Sequence, residues 1–345
     1  MNYNFFHLIQ KYEITTFNYH VYILICSLCI FGCAKEKITI SKNDSDIQRQ
    51  HANDPPVCNC TQYMTFSNGI PEYNTIEDFK SALDCLKDCV DKHNDYLSNK
   101  YQLLNEDEYD DLFYYGNESE FQPLEDFNSS WTVMSLFKKD DIAELSWLNS
   151  GGINLDWDSY PNEIVPFDEA FKALLNFNCI AKIDNVVVDF CEGLNDFRES
   201  SDSRNTPHLC STWFFLSDDY PYANNTRMIR LRGTAAHFLS LTAQFIQAQI
   251  KNYRVRNNGN WRRTRASLSI SGSSWVRDAG CNAYTNLQNN PVPIPVRERN
   301  SRSSLSTEAW GWVSGPWFHH PEGHAGPADG AVVGSNGAFT AIHLW

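Results

Sequence analysis

The stretch that decides the fold of the second half reads Tyr253-Arg254-Val255-Arg256-Asn257-Asn258-Gly259-Asn260-Trp261-Arg262-Arg263-Thr264-Arg265. An Asn-Gly pair between two alternating segments is a strong signal for a β-hairpin, because both residues tolerate a positive φ. Aromatic and aliphatic residues interleave with arginine along both arms, and Leu268 and Ile270 then alternate with serines. Further short segments of this kind, separated by Gly and Pro, predict a mainly antiparallel, sandwich-like β domain.

Charge divides the 345-residue chain into two parts. Residues 34–200 hold 13 Lys and Arg against 33 Asp and Glu, a net charge of −20, whereas residues 201–345 hold 14 against 8, a net charge of +6. The polar run 198–206 lies where the composition changes. We therefore predict an acidic α+β domain over residues 58–200 and an Arg-rich β-sandwich domain over residues 205–345. The proline-rich run 291–295 must be extended, and it is expected away from the centre of a sheet.

Helix and hairpin signals support the α+β assignment of the acidic part. The segment Thr75-Ile76-Glu77-Asp78 resembles a capping box, and apolar residues follow at helical spacing, which predicts a helix over about 76–98. A second, short helix is expected between Pro166 and Asn176. After it, two short apolar segments around Asp184-Asn185 predict a β-hairpin.

The N-terminal residues carry a targeting signal. Val21–Gly32 is a run of twelve largely apolar residues, which is too short to span a bilayer and is typical of a signal peptide. The run ends in Ile30-Phe31-Gly32-Cys33, which resembles the bacterial lipobox. The resemblance implies removal of residues 1–32 and acylation of Cys33. The alternatives are a plain cleaved signal and an uncleaved anchor helix.

The following residues, 33–57, are polar and predict a flexible tether. The Lys35-Glu36 step after Cys33 looks like the surface-export signals of Bacteroidota lipoproteins. We therefore expect an exported outer-membrane lipoprotein, facing the periplasm or on the cell surface, with its lipid in the membrane. The runs Pro161–Asp168 and Ala173–Asn176, with the hairpin after them, are similar to a group of uncharacterised Bacteroidota envelope lipoproteins. That resemblance implies a helix–hairpin unit ahead of a β-rich C-terminal part, and it transfers no catalytic residues.

Eight cysteines follow Cys33, and an even number in an exported chain predicts disulfides. They are Cys58, Cys60, Cys85, Cys89, Cys179, Cys191, Cys210 and Cys281. The first two lie on an extended segment and the next two on one face of the predicted helix, so a double clamp between the pairs is expected, in either order. Cys179 and Cys191 are expected to bridge the hairpin, which leaves Cys210 with Cys281. The alternative for the first four is a zinc site of four thiolates.

Catalytic motifs are missing from the sequence. There is no nucleophile elbow, no phosphate-binding loop and no dinucleotide fingerprint. A Gly- and Pro-rich segment near the C-terminus offers candidate metal ligands, namely His319, His320, His324 and Asp329. We expect no cofactor, and the alternative is zinc at this segment in a metal-dependent hydrolase.

The arginines of the hairpin are the candidates for binding an anionic ligand such as lipopolysaccharide or an acidic glycan. They are Arg254, Arg256, Arg262, Arg263 and Arg265. Two alternatives remain open: docking against the protein's own acidic part, and cross-strand pairing on a solvated sheet face. Together these patterns favour a binding or structural protein of the cell envelope that contacts a polymer or a partner protein. No nucleic acid is expected outside the cytoplasm.

Overall fold

The acidic part of the chain combines helices with a small mixed sheet. The computed structural model describes residues 55–115, 118–192, 194, 213–238, 243–278, 292–312, 319–326, 330–332 and 338–340. The strands of this part are β1 Thr65–Ser67, β2 Ile70–Tyr73, β3 Ile180–Ile183 and β4 Val186–Asp189. The helices are α1 Ile76–Lys100, α2 Glu106–Tyr115, α3 Gln122–Asn128, α4 Leu136–Leu148 and α5 Glu169–Ala173. The sheet has the order β1-β2-β3-β4, and β2 and β3 run parallel.

Helix α1 forms where the capping pattern predicts it. The Thr75 side chain accepts a hydrogen bond from the Asp78 backbone N–H at 3.0 Å, which satisfies one of the free donors of the first turn. Phe79, Leu83 and Leu86 are buried on one face of the helix. The predicted helix over 76–98 is confirmed, and it extends to Lys100. In the described part of the chain, no helix combines the length and the apolar character needed to cross a membrane.

The helix–hairpin unit after residue 165 is also present. Asp168 caps α5 by accepting a hydrogen bond from the Phe171 backbone N–H at 2.7 Å. Strands β3 and β4 pair antiparallel around Asp184 and Asn185, whose φ angles of 50° and 63° lie in the left-handed region. Asp and Asn tolerate that region better than most residues do, so the local sequence specifies this turn.

The second part of the chain consists of strands. They are β5 Trp213–Tyr222, β6 Arg227–Phe238, β7 Ala243–Val255, β8 Trp261–Arg263, β9 Ala266–Asp278, β10 Val292–Arg302, β11 Ser304–Trp312, β12 His319–Gly326, β13 Gly330–Val332 and β14 Ala338–Thr340. One antiparallel sheet has the order β11-β7-β6-β5, with β8 paired to β7. The other has the order β10-β9-β13-β14, with β12 paired to β9. An α+β part followed by a mainly antiparallel β part is confirmed.

The Asn-Gly hairpin forms as the sequence predicts. Tyr253 pairs with Arg263 and Val255 with Trp261, so the two arms meet in antiparallel register. Gly259 has a φ of +84°, a conformation that a side chain at this position would strain. Residues 292–295 of the proline-rich run lie in β10, at the edge of its sheet, where a missing N–H costs no central hydrogen bond.

Three apolar clusters of the described residues hold the sheets together and join them to the helices, and one of them packs Trp147 of α4 against Tyr253 and Trp261. Ile229 and Ile250 of one sheet share a buried cluster with Leu268 and Ile270 of the other, as expected for a sandwich. A larger cluster contains side chains of both parts of the chain, Phe79, Phe171 and Phe190 with Phe238, Phe245 and Trp310. The described residues from Pro55 onwards belong to one compact unit. The boundary predicted at 200–205 lies outside the described residues.

Candidate ligand-binding site

The hairpin arginines contact acidic side chains of helix α2. Arg254 lies 2.5 Å from the Asp107 carboxylate and Arg256 lies 2.8 Å from that of Asp111. Arg262 approaches the same Asp111 oxygen at 3.4 Å. Each of the three ion pairs therefore joins the basic sheet to the acidic part of the chain.

The other two arginines also contact helices of the acidic part. Arg263 pairs with Asp141 and lies 3.6 Å from Glu144, both on helix α4. The Arg265 guanidinium lies 3.3 Å from the centre of the Tyr109 ring, a cation–π contact. Four of the five arginines thus match the alternative in which they dock against the protein's own acidic residues, and Arg265 packs on an aromatic ring of the same part.

A buried ionic network continues inward from the hairpin. Lys251 of β7 lies 2.9 Å from Glu144, which also accepts a hydrogen bond from the Tyr253 hydroxyl at 2.6 Å. Burial alone would raise the pKa of Glu144, but the charges of Lys251 and Arg263 outweigh it and hold that pKa well below its usual value. The Glu144 carboxylate is therefore ionised, paired with Lys251 and hydrogen-bonded to Tyr253.

Asp168 forms a second centre of this network. Its carboxylate accepts hydrogen bonds from Gln247 at 2.8 Å and from the Ser306 hydroxyl at 2.6 Å, in addition to the helix cap. Lys87 of α1 lies 2.8 Å from the same carboxylate and also contacts Glu308. With its oxygens already occupied, Asp168 stabilises the fold and is a poor candidate for a catalytic group.

The cysteines form three disulfides in the described part of the chain. Cys58 bonds to Cys89 and Cys60 bonds to Cys85, which decides the order of the clamp that the sequence left open. Cys179 bonds to Cys191 across the β3–β4 hairpin, as predicted. Cys210 and Cys281 lie outside the described residues. Sulfurs bonded in this way are not thiolates, so this arrangement offers no four-thiolate zinc site.

The candidate metal ligands of the C-terminal segment stay a prediction. The backbone at His319, His320 and His324 belongs to β12, which pairs with β9. Their side chains, and Asp329 as a whole, lie outside what the structure describes. Strand β12 is extended and not helical, as the prolines predict.

An open groove lies on the other side of helix α1. It has a volume of about 600 Å³, within the range of ligand sites in proteins. One wall is the α1 face that carries His93, Tyr96 and Lys100. The opposite wall is residues 118–127, which include α3, and one end is closed by residues 55–61 with their disulfides.

Hydrogen bonds hold the two walls together. His93 Nε2 lies 3.0 Å from the Ser119 carbonyl oxygen, and the Asn94 amide donates to the Glu120 carbonyl at 3.0 Å. Because a carbonyl only accepts, the Nε2 of His93 carries the proton and Nδ1 is left as an acceptor. Burial lowers the pKa of His93, so the ring is neutral near pH 7.

The groove holds one ion pair and one carboxylate that no cation neutralises. Lys100 Nζ lies 2.7 Å from Glu118, which also accepts a hydrogen bond from the Tyr101 hydroxyl at 2.8 Å. Gln122 donates to Asp126 at 2.8 Å along α3. The groove thus presents polar groups of both kinds with a net charge of about −1.

The sequence reasoning missed this groove. Its signal is the spacing of His93, Tyr96 and Lys100 at i, i+3 and i+7, which puts three polar or aromatic side chains on one helix face. That pattern is common on solvent-exposed helices, so only the packing of α3 against α1 reveals the cavity.

Comparison with known proteins adds little. A solved structure of a DUF4848 family protein from Bacteroides thetaiotaomicron is similar to this chain at 10% sequence identity and a TM-score of 0.21. The alignment covers 75% of this chain and 89% of that one. No protein-family model and no curated protein matches the chain.

Proposed function

We propose that the protein is an exported, lipid-anchored binding protein of the bacterial cell envelope, and that the groove beside α1 holds its ligand. The observation that carries the proposal is the groove itself. It is open, it has the volume of a ligand site, and its walls are joined by hydrogen bonds, so it is largely formed before any ligand arrives.

Three disulfides support the envelope location. Disulfides persist in oxidising compartments and are rare in the cytosol. The lipobox-like Ile30–Cys33 and the polar tether over 33–57 supply the expected anchor. Pro55 and Pro56, where that tether meets the folded body, line the groove. Anchor and groove therefore fit one binding protein held at a membrane surface.

The hairpin arginines favour a structural role over a ligand-binding one. Arg256, Arg262 and Arg263 keep at most 10% of their side-chain surface exposed. An anionic polymer that bound them would have to displace carboxylates already in place. The groove, in contrast, offers polar groups and open volume, so an envelope glycan or a partner protein is the ligand we propose for it.

The anchor is tested by replacing the acylation site. Cells expressing the full chain are labelled with a palmitate analogue and then fractionated. We expect label and protein in the membrane fraction, and we expect Cys33→Ser to lose the label and leave the membrane. Cys26→Ser is the matched control and should keep both. Unlabelled wild-type protein would reject the lipid anchor.

The groove is tested by filling it. Gln122→Trp places a large side chain on the groove wall, and Lys92→Trp places the same side chain on α1 at a residue whose side chain is 62% exposed. We expect solubilised envelope fractions to bind the wild-type protein and Lys92→Trp, and to lose binding to Gln122→Trp. Equal binding by all three would place the ligand elsewhere.

A further inference from the structure

We propose that the two disulfides on α1 form a thiol–disulfide relay. An external dithiol attacks Cys58 and frees Cys89 from its bond. The Cys89 thiolate then attacks Cys60, and the thiol released from that second bond appears at Cys85. The two disulfides therefore react as one unit, and the half-reduced form keeps a bond between Cys60 and Cys89. This activity does not depend on which ligand the groove binds.

The four sulfurs are arranged in the order that a relay needs. Each disulfide joins a partly exposed cysteine to a buried one, Cys58 to Cys89 and Cys85 to Cys60. Cys60 is 2% exposed and Cys89 is 5% exposed. Their Sγ atoms lie 3.6 Å apart, so the buried ends of the two bonds are in contact. The partly exposed ends are the entrance and the exit of the relay.

A thiol can reach the entrance from solvent. Cys58 lines the open groove beside α1, and its neighbours Val57 and Asn59 are exposed, Val57 to 98%. Exchange begins when a thiolate attacks one sulfur of a disulfide, and the rate depends on access to that sulfur. Because Cys89 is buried, Cys58 is the sulfur of this bond that a reductant attacks first.

The thiolate left at Cys89 has the second disulfide within reach. The Sγ atoms of Cys60, Cys85 and Cys89 all lie within 4.8 Å of one another, so a rotation of the freed Cys89 side chain is enough for attack on Cys60. Cys89 belongs to an apolar cluster that includes Leu86, and apolar surroundings disfavour a thiolate. Transfer moves the charge to Cys85, which is partly exposed and can be hydrated.

The relay amounts to a two-electron reduction of the clamp. The dithiol forms a mixed disulfide with Cys58 as the bond to Cys89 breaks. The bond between Cys89 and Cys60 forms as the bond between Cys60 and Cys85 breaks. The second thiol of the reductant then displaces Cys58, and the reductant leaves as a cyclic disulfide. Its two protons end on the thiols of Cys58 and Cys85, so one bond of the clamp is lost and the other has changed partners.

Limited reduction distinguishes the relay from simple cleavage. The full-length protein in detergent is treated with limiting dithiothreitol at about pH 8, where part of the dithiol is ionised. Free thiols are blocked with N-ethylmaleimide, and tryptic peptides are identified by mass spectrometry. Cys85 and Cys89 fall into different peptides because Lys87 lies between them. Fragmentation of the shared peptide tells Cys58 from Cys60.

The two mechanisms label different cysteines in molecules that have lost one bond of the clamp. For the relay we expect label on Cys58 and Cys85, and a bond between Cys60 and Cys89. Label on Cys58 and Cys89, with Cys60 still bonded to Cys85, would overturn the proposal. A bond between Cys85 and Cys89 would also overturn it, because the Cys89 thiolate would then have attacked the wrong sulfur.

A variant removes the need for a reductant. Cys58→Ser leaves Cys89 without its partner, and we expect at least about threefold more label on Cys85 than on Cys89. Cys179→Ser is the matched control: it frees Cys191 at the β3–β4 hairpin, and the label should stay there. Circular dichroism checks that both variants are folded. Label confined to Cys89 in Cys58→Ser, or spread equally over the three remaining cysteines of the clamp, would reject the relay.

Discussion

The two faces of helix α1 have opposite chemistry. One face carries Lys87 and Asp91, which pair with the α5 cap Asp168 and with residues of β10 and β11 in a closed ionic interface. The other carries His93, Tyr96 and Lys100, which border an open groove. On the first face nearly every charge has a fixed partner. On the second face Lys100 pairs with Glu118 at a partly exposed site, so one helix serves both to stabilise the fold and to border an open groove.

The largest loss of stability in the ionic interface of α1 is expected at Lys87. Lys87→Met removes the cation between two largely buried carboxylates, Asp168 and Glu308, and leaves them uncompensated. We expect the free energy of unfolding, measured with urea at pH 7, to fall by about 3–5 kcal/mol. Lys92→Met, whose ion pair with Asp88 is exposed, should change it by less than about 0.5 kcal/mol. Similar losses in both variants would contradict the contrast between the two faces.

Removing one disulfide should separate stability from binding. Cys60→Ser/Cys85→Ser opens a bond at the end of the groove, and Cys179→Ser/Cys191→Ser opens one across the β3–β4 hairpin. Each should cost about 2–4 kcal/mol of stability. Only the first should also weaken ligand binding, which calorimetry can measure. Equal binding by both double variants would show that the clamp does not shape the groove.

Asp91 makes the closed face sensitive to acid. Burial alone would raise the pKa of Asp91, but Arg297 at 2.7 Å and Arg299 at 2.8 Å lower it overall. Because the folded-state pKa lies below the unfolded value of about 3.9, ionised Asp91 stabilises the fold above that pH, and the contribution is lost as the pH falls through the folded value. Asp91→Asn should lower the free energy of unfolding by about 1–2 kcal/mol at pH 7. It should also make the free energy of unfolding fall less steeply as the pH is lowered.

The control for that measurement is Asp88→Asn on the same helix. Its carboxylate is 58% exposed and pairs only with Lys92 among the contacts described for it. We expect its stability curve to follow that of the wild type. If the free energy of unfolding of Asp91→Asn depended on acid pH as that of the wild type does, the arginines would not act through this carboxylate.

The smallest effect is expected at Glu120, between the groove wall and the closed interface. Its carboxylate accepts hydrogen bonds from Ser303, and burial raises its pKa despite the nearby Arg263. A raised folded-state pKa means that stability is lost as the pH rises from about 4.3 through the folded value. Glu120→Gln should remove this loss and raise the free energy of unfolding by less than about 1 kcal/mol at pH 7. A steeper pH dependence in that variant would contradict the assignment.

Local signals predicted the elements of the fold. The cap at Thr75, the apolar spacing of α1 and the turns at Asp184-Asn185 and Gly259 each act over a few residues, so the sequence alone locates them. The order of the disulfides was not predictable in this way. It depends on residues 58–60 running antiparallel to α1, so that the earlier cysteine meets the later one.

The candidate site was less predictable than the fold. The groove requires α3 to pack against α1, and no short pattern encodes a contact between residues about 26 positions apart. The basic hairpin was visible in the sequence, but its partners were not. Asp107, Asp111 and Asp141 are selected from many acidic residues by tertiary packing alone.

The bond between Cys58 and Cys89 also determines how mechanical load enters the molecule. A pull on the chain ahead of Pro55 reaches Cys58 and passes through the covalent bond directly into the second half of α1. The bond encloses the residues between the two cysteines, including β1, β2 and the first turns of α1, so a pull cannot draw them out one after another while the bond is intact. A body tethered at a surface under flow would thus resist being unravelled from its N-terminal end.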